Sequence, residues 1–227
     1  IKQENYNEEF LKNILSQHNL SFTKTILKPG NWNAKWESEY PPVIVDDKVA
    51  IRAFFHPPVK SVKHEILITP KMSFGTGHHA TTFLMLQQMA EINFKNKSVL
   101  DFGTGTGVLS IYAFKLGSKN ITAIDCDEWS IENAKENFIS NKCIIKLLKK
   151  STADISDEFD VILANINLNV ISDNLISLKK ISTPSSQFIF SGILKSDLKN
   201  LTEELKKQNI HVTNISEKQE WICVLAK

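Results

Sequence analysis

The spacing of hydrophobic positions changes along the chain. Over residues 6–18, Tyr6, Phe10, Leu11, Ile14 and Leu15 recur at three- and four-residue intervals, which predicts an amphipathic helix. Residues 21–27 alternate like a short strand, and Lys28-Pro29-Gly30-Asn31 breaks it. Trp32 and Trp36 fall on one face of a helical turn that Pro41-Pro42 ends. Residues 43–45 and 49–53 flank Asp46-Asp47-Lys48, a hairpin pattern. From residue 64 strands and helices alternate. The pattern predicts strands at 65–69, 98–102, 121–125, 143–148, 159–164 and 187–191. It predicts helices at 81–92, 107–116, 129–139, 168–180 and 197–208, with Gly117 stopping the second of these. Residues 211–215 and 221–226 have no helix between them and should pair as a hairpin. The expected fold is α/β: a doubly wound, mostly parallel seven-stranded sheet with a terminal antiparallel hairpin, after a small N-terminal remnant and a connector. The expected division is 1–29 for the remnant, 30–62 for the connector with its hairpin, and 63–227 for the sheet domain.

Chemistry enters at the turn after the strand at 98–102. Val99-Leu100-Asp101-Phe102-Gly103-Thr104-Gly105-Thr106-Gly107 joins a strand to a helix through glycines, and Asp125 ends the next strand. An open α/β sheet holds an adenosine-containing cofactor this way. Gly103 and Gly105 let backbone approach the ligand, and the second carboxylate, Asp125, accepts from ribose hydroxyls. A dinucleotide fingerprint, G-x-G-x-x-G, would need a third glycine where Val108 or Ser110 stands. Asp101, just ahead of the turn, would repel a pyrophosphate and suits a cationic amino-acid group. The pattern therefore favours S-adenosylmethionine, which carries an ammonium and a sulfonium and no phosphate. A glycine turn with no ligand is the alternative, and Asp101 and Asp125 together count against it. The parallel strands with a terminal hairpin match the class I methyltransferase variant of the doubly wound fold better than a dehydrogenase.

Two further segments carry candidate chemistry. Phe74-Gly75-Thr76-Gly77-His78-His79-Ala80-Thr81-Thr82 reads either as a lid over the cofactor, with Thr82 as its contact, or as a glycine-rich turn in which Thr81 or Thr82 caps the next helix. Adjacent His78 and His79 point in different directions and have no carboxylate cluster beside them, so no metal site is expected. Ala164-Asn165-Ile166-Asn167 follows a strand whose end borders the cofactor crevice. Asn165 can accept from an amine through its side-chain carbonyl, or can serve as a helix N-cap. Lys146, Lys149 and Lys150 read as a solvated rim, Cys126 as a passive neighbour of Asp125, and Trp32 and Trp36 as packing for the connector.

Composition narrows the class. The 227 residues are 42% hydrophobic, enough for one α/β domain and a smaller piece. With 27 basic and 25 acidic residues the formal charge is +2, which makes no case for nucleic-acid binding. Cys126, Cys143 and Cys223 form no C-x-x-C pair, so neither a zinc site nor a disulfide framework is expected, and a reducing, cytoplasmic setting fits. No apolar run approaches the ~20 residues of a membrane span, and no signal peptide is visible. The chain opens at Ile1 without an initiator Met and reads as a fragment.

The chain resembles the PrmA family, bacterial methyltransferases of the large-subunit ribosomal protein L11. The resemblance rests on the motif from Phe74 to Thr82, on Asp101 to Leu109, on Asp125, and on Ala164-Asn165-Ile166. It extends through Ser191-Gly192-Ile193-Leu194 and Glu220-Trp221, and back to the Trp32–Trp36 segment, over roughly residues 30–227. It implies contacts to S-adenosylmethionine at Thr82, Gly103, Asp125 and Asn165. It also implies N-methylation of lysine side chains and an N-terminal α-amine on that ribosomal protein, free or on the ribosome, by a monomeric cytoplasmic enzyme that needs no nucleic acid or membrane. A separate N-terminal docking domain belongs to the family pattern, and the part before Trp32 is too short to be the whole of it. Ile166-Asn167 stands where many adenine or glutamine N-methyltransferases carry Pro-Pro-aromatic, which argues against those substrates. The rival readings are a methyltransferase for RNA or a small molecule, and a non-catalytic cofactor-binding module in ribosome assembly.

Overall fold

The computed structural model describes residues 6–23 and 40–227. The chain divides into two compact units, residues 1–39 and 40–227. In the first, Glu8–Gln17 forms helix α1, whose N-cap Asn7 accepts from the Phe10 N–H at 3.0 Å. Residues 21–23 are not strand; the rest of the strand expected to 27, and the Trp32–Trp36 turn, lie outside the described residues.

The second unit contains two sheets. Val43–Val45 (β1) and Val49–Ala53 (β2) form the expected hairpin. His64–Ile68 (β3) adds to β2 in parallel. The hairpin expected in the connector and the strand expected to open the next domain thus share one sheet, and the compact unit starts at Tyr40.

The larger sheet has seven strands: Ser98–Phe102 (β4), Asn120–Asp125 (β5), Lys146–Lys149 (β6), Phe159–Asn165 (β7), Ser182–Leu194 (β8), Val212–Lys218 (β9) and Trp221–Ala226 (β10). Their order is β6-β5-β4-β7-β8-β10-β9. The first five positions in that order are parallel, and β10 runs antiparallel to both β8 and β9. The chain winds outward from β4 to β6 and then returns to the other side of β4 as β7. That reversal opens a crevice at the carboxyl ends of β4 and β7.

The helices are Ala80–Ala90 (α2), Val108–Lys115 (α3), Glu128–Ser140 (α4), Leu168–Lys180 (α5) and Leu198–Lys207 (α6). Successive strand residues face opposite sides, so each parallel strand feeds two cores. Val99, Val161 and Leu163 pack with α2, α3, α4 and the small sheet; Leu100, Phe102, Ile162 and Ala164 pack with α5 and α6. Gly117, at φ 103°, closes α3 as expected: its N–H donates to Phe114 O, and Ser118 N–H donates to Ala113 O.

Three strands differ from expectation by more than a residue. The strand expected over 143–148 is confined to Lys146–Lys149. β9 ends at Lys218 rather than 215, because its mostly exposed residues carry little alternation. β8 begins five residues before 187, across Thr183-Pro184-Ser185-Ser186, where its register against β7 shifts. The Ser186 hydroxyl donates to Phe159 O at 2.6 Å across that irregularity, so the strand survives a sequence that reads as a break.

A stripe on α4 ties the two sheets together. Asn133, Asn137 and Asn141 lie one turn apart and face the backbone at and just after β3. Asn141 accepts from Leu67 N–H at 3.0 Å and donates to Leu67 O. Asn137 accepts from Thr69 N–H at 2.8 Å, and Asn133 donates to Thr69 O at 3.1 Å. The amides stand in for a neighbouring strand along a sheet edge. Asn137 also donates to Thr106 O at 2.8 Å, inside the glycine turn. Asn137→Leu keeps the size but strands Thr69 N–H and Thr106 O, so it should lower the unfolding free energy by about 2–4 kcal/mol. Urea denaturation measures this; a change under about 0.5 kcal/mol would show that neither bond contributes.

Candidate active site

All five backbone N–H groups of the glycine turn have protein acceptors. Gly103 and Thr104 donate to Ile124 O, Gly105 to Asp125 Oδ2 at 2.9 Å, Thr106 to Phe74 O at 2.8 Å, and Gly107 to Thr104 O. A pyrophosphate needs free backbone donors at this place. The turn offers none, which agrees with a cofactor that lacks phosphate.

Asp101 does something other than expected. It is wholly buried, and its Oδ2 accepts from the Thr104 hydroxyl at 2.6 Å, the Ser110 hydroxyl at 2.7 Å and the Ser110 N–H at 3.2 Å. It braces the turn from behind instead of facing a ligand's ammonium group. Burial pushes its carboxyl above the ordinary range, against the pull of the Thr104 and Ser110 hydrogen bonds. Its Oδ1 has no hydrogen-bond partner among the described residues.

Gly105 is required by the protein itself. A Cβ there would lie 2.3 Å from Phe74 O. The Thr106 hydroxyl also donates to Gly75 O at 2.8 Å, so the segment around Phe74 is stitched to the glycine turn. Asp125 stands at the end of β5. Its Oδ2 takes the Gly105 N–H and its Oδ1 the Asp127 N–H at 3.0 Å, and each oxygen keeps a lone pair for a further donor.

The N-cap of α2 is His79, not Thr81 or Thr82: its Nδ1 accepts from the Thr81 N–H at 3.3 Å and meets the Thr81 hydroxyl at 2.8 Å. Thr82 is wholly buried, and its hydroxyl accepts from Asn165 Nδ2 at 3.3 Å. That bond anchors one end of the Asn165 amide to α2. Asn165 Oδ1 has no hydrogen-bond partner among the described residues. The cap of α5 is Asn167, which accepts from Val170 N–H at 3.1 Å, so Asn165 is not spent on the helix.

These elements enclose a cavity of about 420 Å³, within the range of small-molecule sites. Gly103, Gly105, Asp125 and Asn165 line it, and Thr82 stands behind its wall while Thr81 borders it. Cys126 lies beside Asp125 on the same wall. Lys150 also borders the cavity and donates to Asp154 O at 2.7 Å. Phe74, His79, Gly192 and Trp221 also line it and were not among the expected ligand contacts. Their segments carry recognisable motifs, but which side chains reach the cavity is decided by tertiary folding, which brings a loop, a cap and two strands to one place. Among the described residues no group of three or more His, Cys, Asp or Glu could hold a metal ion, and no helix is long and apolar enough to cross a membrane.

The cavity's lining fits S-adenosylmethionine: an accepting carboxylate at the end of β5, the Asn165 amide at the end of β7, and a glycine turn with no free N–H for phosphate. A doubly wound sheet with a terminal hairpin and this turn defines a class I methyltransferase dependent on S-adenosylmethionine. Residues 2–227 match the family described as Ribosomal protein L11 methyltransferase (PrmA). A relative of that name from Chlorobaculum parvum is 40% identical over 96% of this chain and 79% of its own length. Another, from Bacteroides fragilis, is 34% identical over 99% of this chain and 83% of its own. The crystal structure of a ribosomal protein L11 methylase from Lactobacillus delbrueckii subsp. bulgaricus superposes with a TM-score of 0.76 at 30% identity, covering 82% of this chain and 97% of that one. The chain belongs to the PrmA family of ribosomal protein L11 methyltransferases.

Proposed function

We propose that this protein transfers methyl groups from S-adenosylmethionine to lysine side-chain and N-terminal amines of ribosomal protein L11. Family membership supports the substrate protein, and the unpaired carbonyl of Asn165 carries the chemistry. S-adenosylmethionine supplies a sulfonium methyl group, which is open to in-line attack by a nitrogen lone pair. The amine must arrive neutral. A free lysine titrates near 10.4, so neutrality at pH ~7.5 costs about 4 kcal/mol. Desolvation in the cavity and a cation nearby lower that cost, and water can take the proton. The chain's remaining task is alignment.

In this reading Asp125 accepts from the ribose hydroxyls, Gly103 and Gly105 shape the wall against the cofactor, and Asn165 Oδ1 accepts an N–H of the incoming amine so that its lone pair faces the methyl group. Thr82 acts through Asn165 by holding its amide. Residues 1–29 read as part of a docking region for L11, and the enzyme works as a cytoplasmic monomer on the free or ribosome-bound protein.

Mass spectrometry of L11 incubated with this protein and S-adenosylmethionine tests the reading. Mass gains in steps of about 14 Da, one per methyl group, should map to lysines and the N-terminal amine; binding of the cofactor without any gain would overturn it. Asn165→Ala should lower kcat by about 100-fold while changing cofactor affinity less than threefold, a loss confined to the transition state. Equal losses in both would make Asn165 a cofactor ligand only.

A further inference from the structure

Three aromatic rings from separate parts of the chain meet on the cavity wall. Phe74 comes from the segment stitched to the glycine turn, His79 from the cap of α2, and Trp221 from the start of β10. The Phe74 and His79 ring centroids are 5.3 Å apart at 62°, and those of His79 and Trp221 are 4.8 Å apart at 69°. Both are edge-to-face contacts, the favoured geometry for aromatic pairs. The backbone holds each ring in place: Phe74 O accepts from Thr106 N–H at 2.8 Å, and Trp221 pairs with Leu194 on one side and Lys218 on the other. His79 Nδ1 is occupied by Thr81, so this wall has little to offer an amine nitrogen. The unpaired acceptor, Asn165, lines the same cavity.

We propose that Phe74, His79 and Trp221 form the surface on which the methylene stem of a target lysine lies, and that they make the enzyme favour lysine side chains over chain-terminal α-amines. The inference rests on the amine-methylation reading above. A lysine brings four methylenes, which lie along apolar surface while the nitrogen reaches a polar group. An α-amine brings a peptide group within two bonds of its nitrogen and has no stem to place on the rings. Both amines need Asn165; only lysine needs the wall.

The test uses two preparations of L11. In one the α-amine is acetylated, leaving lysines; in the other the lysines are guanidinated, leaving the α-amine. Trp221→Leu and Phe74→Leu are each compared with the unaltered chain by kcat/KM on both. The expected result is a loss of tenfold or more on the lysine preparation and less than threefold on the α-amine preparation. Equal losses on both, or no loss on lysine, would overturn the inference. Phe74 lies outside the strands, so its variant keeps the test open if Trp221→Leu fails to fold. An unaltered chain that methylates neither preparation overturns the amine reading itself, before any variant is compared.

Discussion

Asp125→Ala should raise the dissociation constant for S-adenosylmethionine by about 100-fold or more, as read by calorimetry. Hydrogen bonds to a charged group contribute roughly 1.5–3 kcal/mol each, and two of them to ribose hydroxyls amount to at least about 3 kcal/mol, or two decades of affinity. A second loss adds to the first. The same carboxylate accepts from Gly105 N–H and Asp127 N–H, so its removal also frees the glycine turn from the end of β5. Asp125→Asn retains one oxygen acceptor and should lose less. Unchanged affinity in the alanine variant would remove Asp125 from the cofactor site.

Gly192→Ala should lower the unfolding free energy by about 2–5 kcal/mol and reduce turnover in the protein that still folds. Gly192 has φ 81°, which costs an L-residue roughly 1–2 kcal/mol. A Cβ there would lie 2.5 Å from Ile166 O, 2.7 Å from Ile166 C and 2.8 Å from Ile166 N. These are backbone atoms, held by the Ile166 N–H bond to Ser191 O at 3.1 Å, so they cannot swing aside, and overpacking costs about 1–3 kcal/mol more. Any relief displaces Ile166 and carries Asn165 with it. Gly103 makes the contrast: a Cβ there meets only Ile166 Cγ2, at 2.4 Å, a side-chain atom that can turn away. Gly103→Ala should therefore be the milder variant. Equal effects would mean that left-handed backbone, which both share, dominates over contact. Urea denaturation of both variants decides between these outcomes.

Much of the site was legible because its chemistry is encoded locally. The G-x-G-x-G turn, Asp125 at a strand end and Asn165 at another are each short patterns, and a parallel sheet places all carboxyl ends of its strands on one side. Asp101 was misread for the same reason: its position beside the turn is local, but its burial against Thr104 and Ser110 depends on α3 folding back over it. Thr82 likewise belongs to the right segment, and only packing shows that it reaches Asn165 rather than the cavity. β8 was underestimated because Thr183-Pro184-Ser185-Ser186 breaks the alternation, whereas a hydroxyl from a neighbour in space repairs the ladder.

By itself the sequence determined the order of strands and helices, the doubly wound class, the terminal hairpin and a cofactor without phosphate. These follow from hydrophobic period and from turn chemistry, both of which act over a few residues. Tertiary structure alone decided that β3 joins the hairpin, that asparagines of α4 satisfy its open edge, and that every N–H of the glycine turn is spent within the protein. It also decided which rings meet on the cavity wall. Most of these depend on groups far apart in the chain finding one another, and no local period records such a meeting.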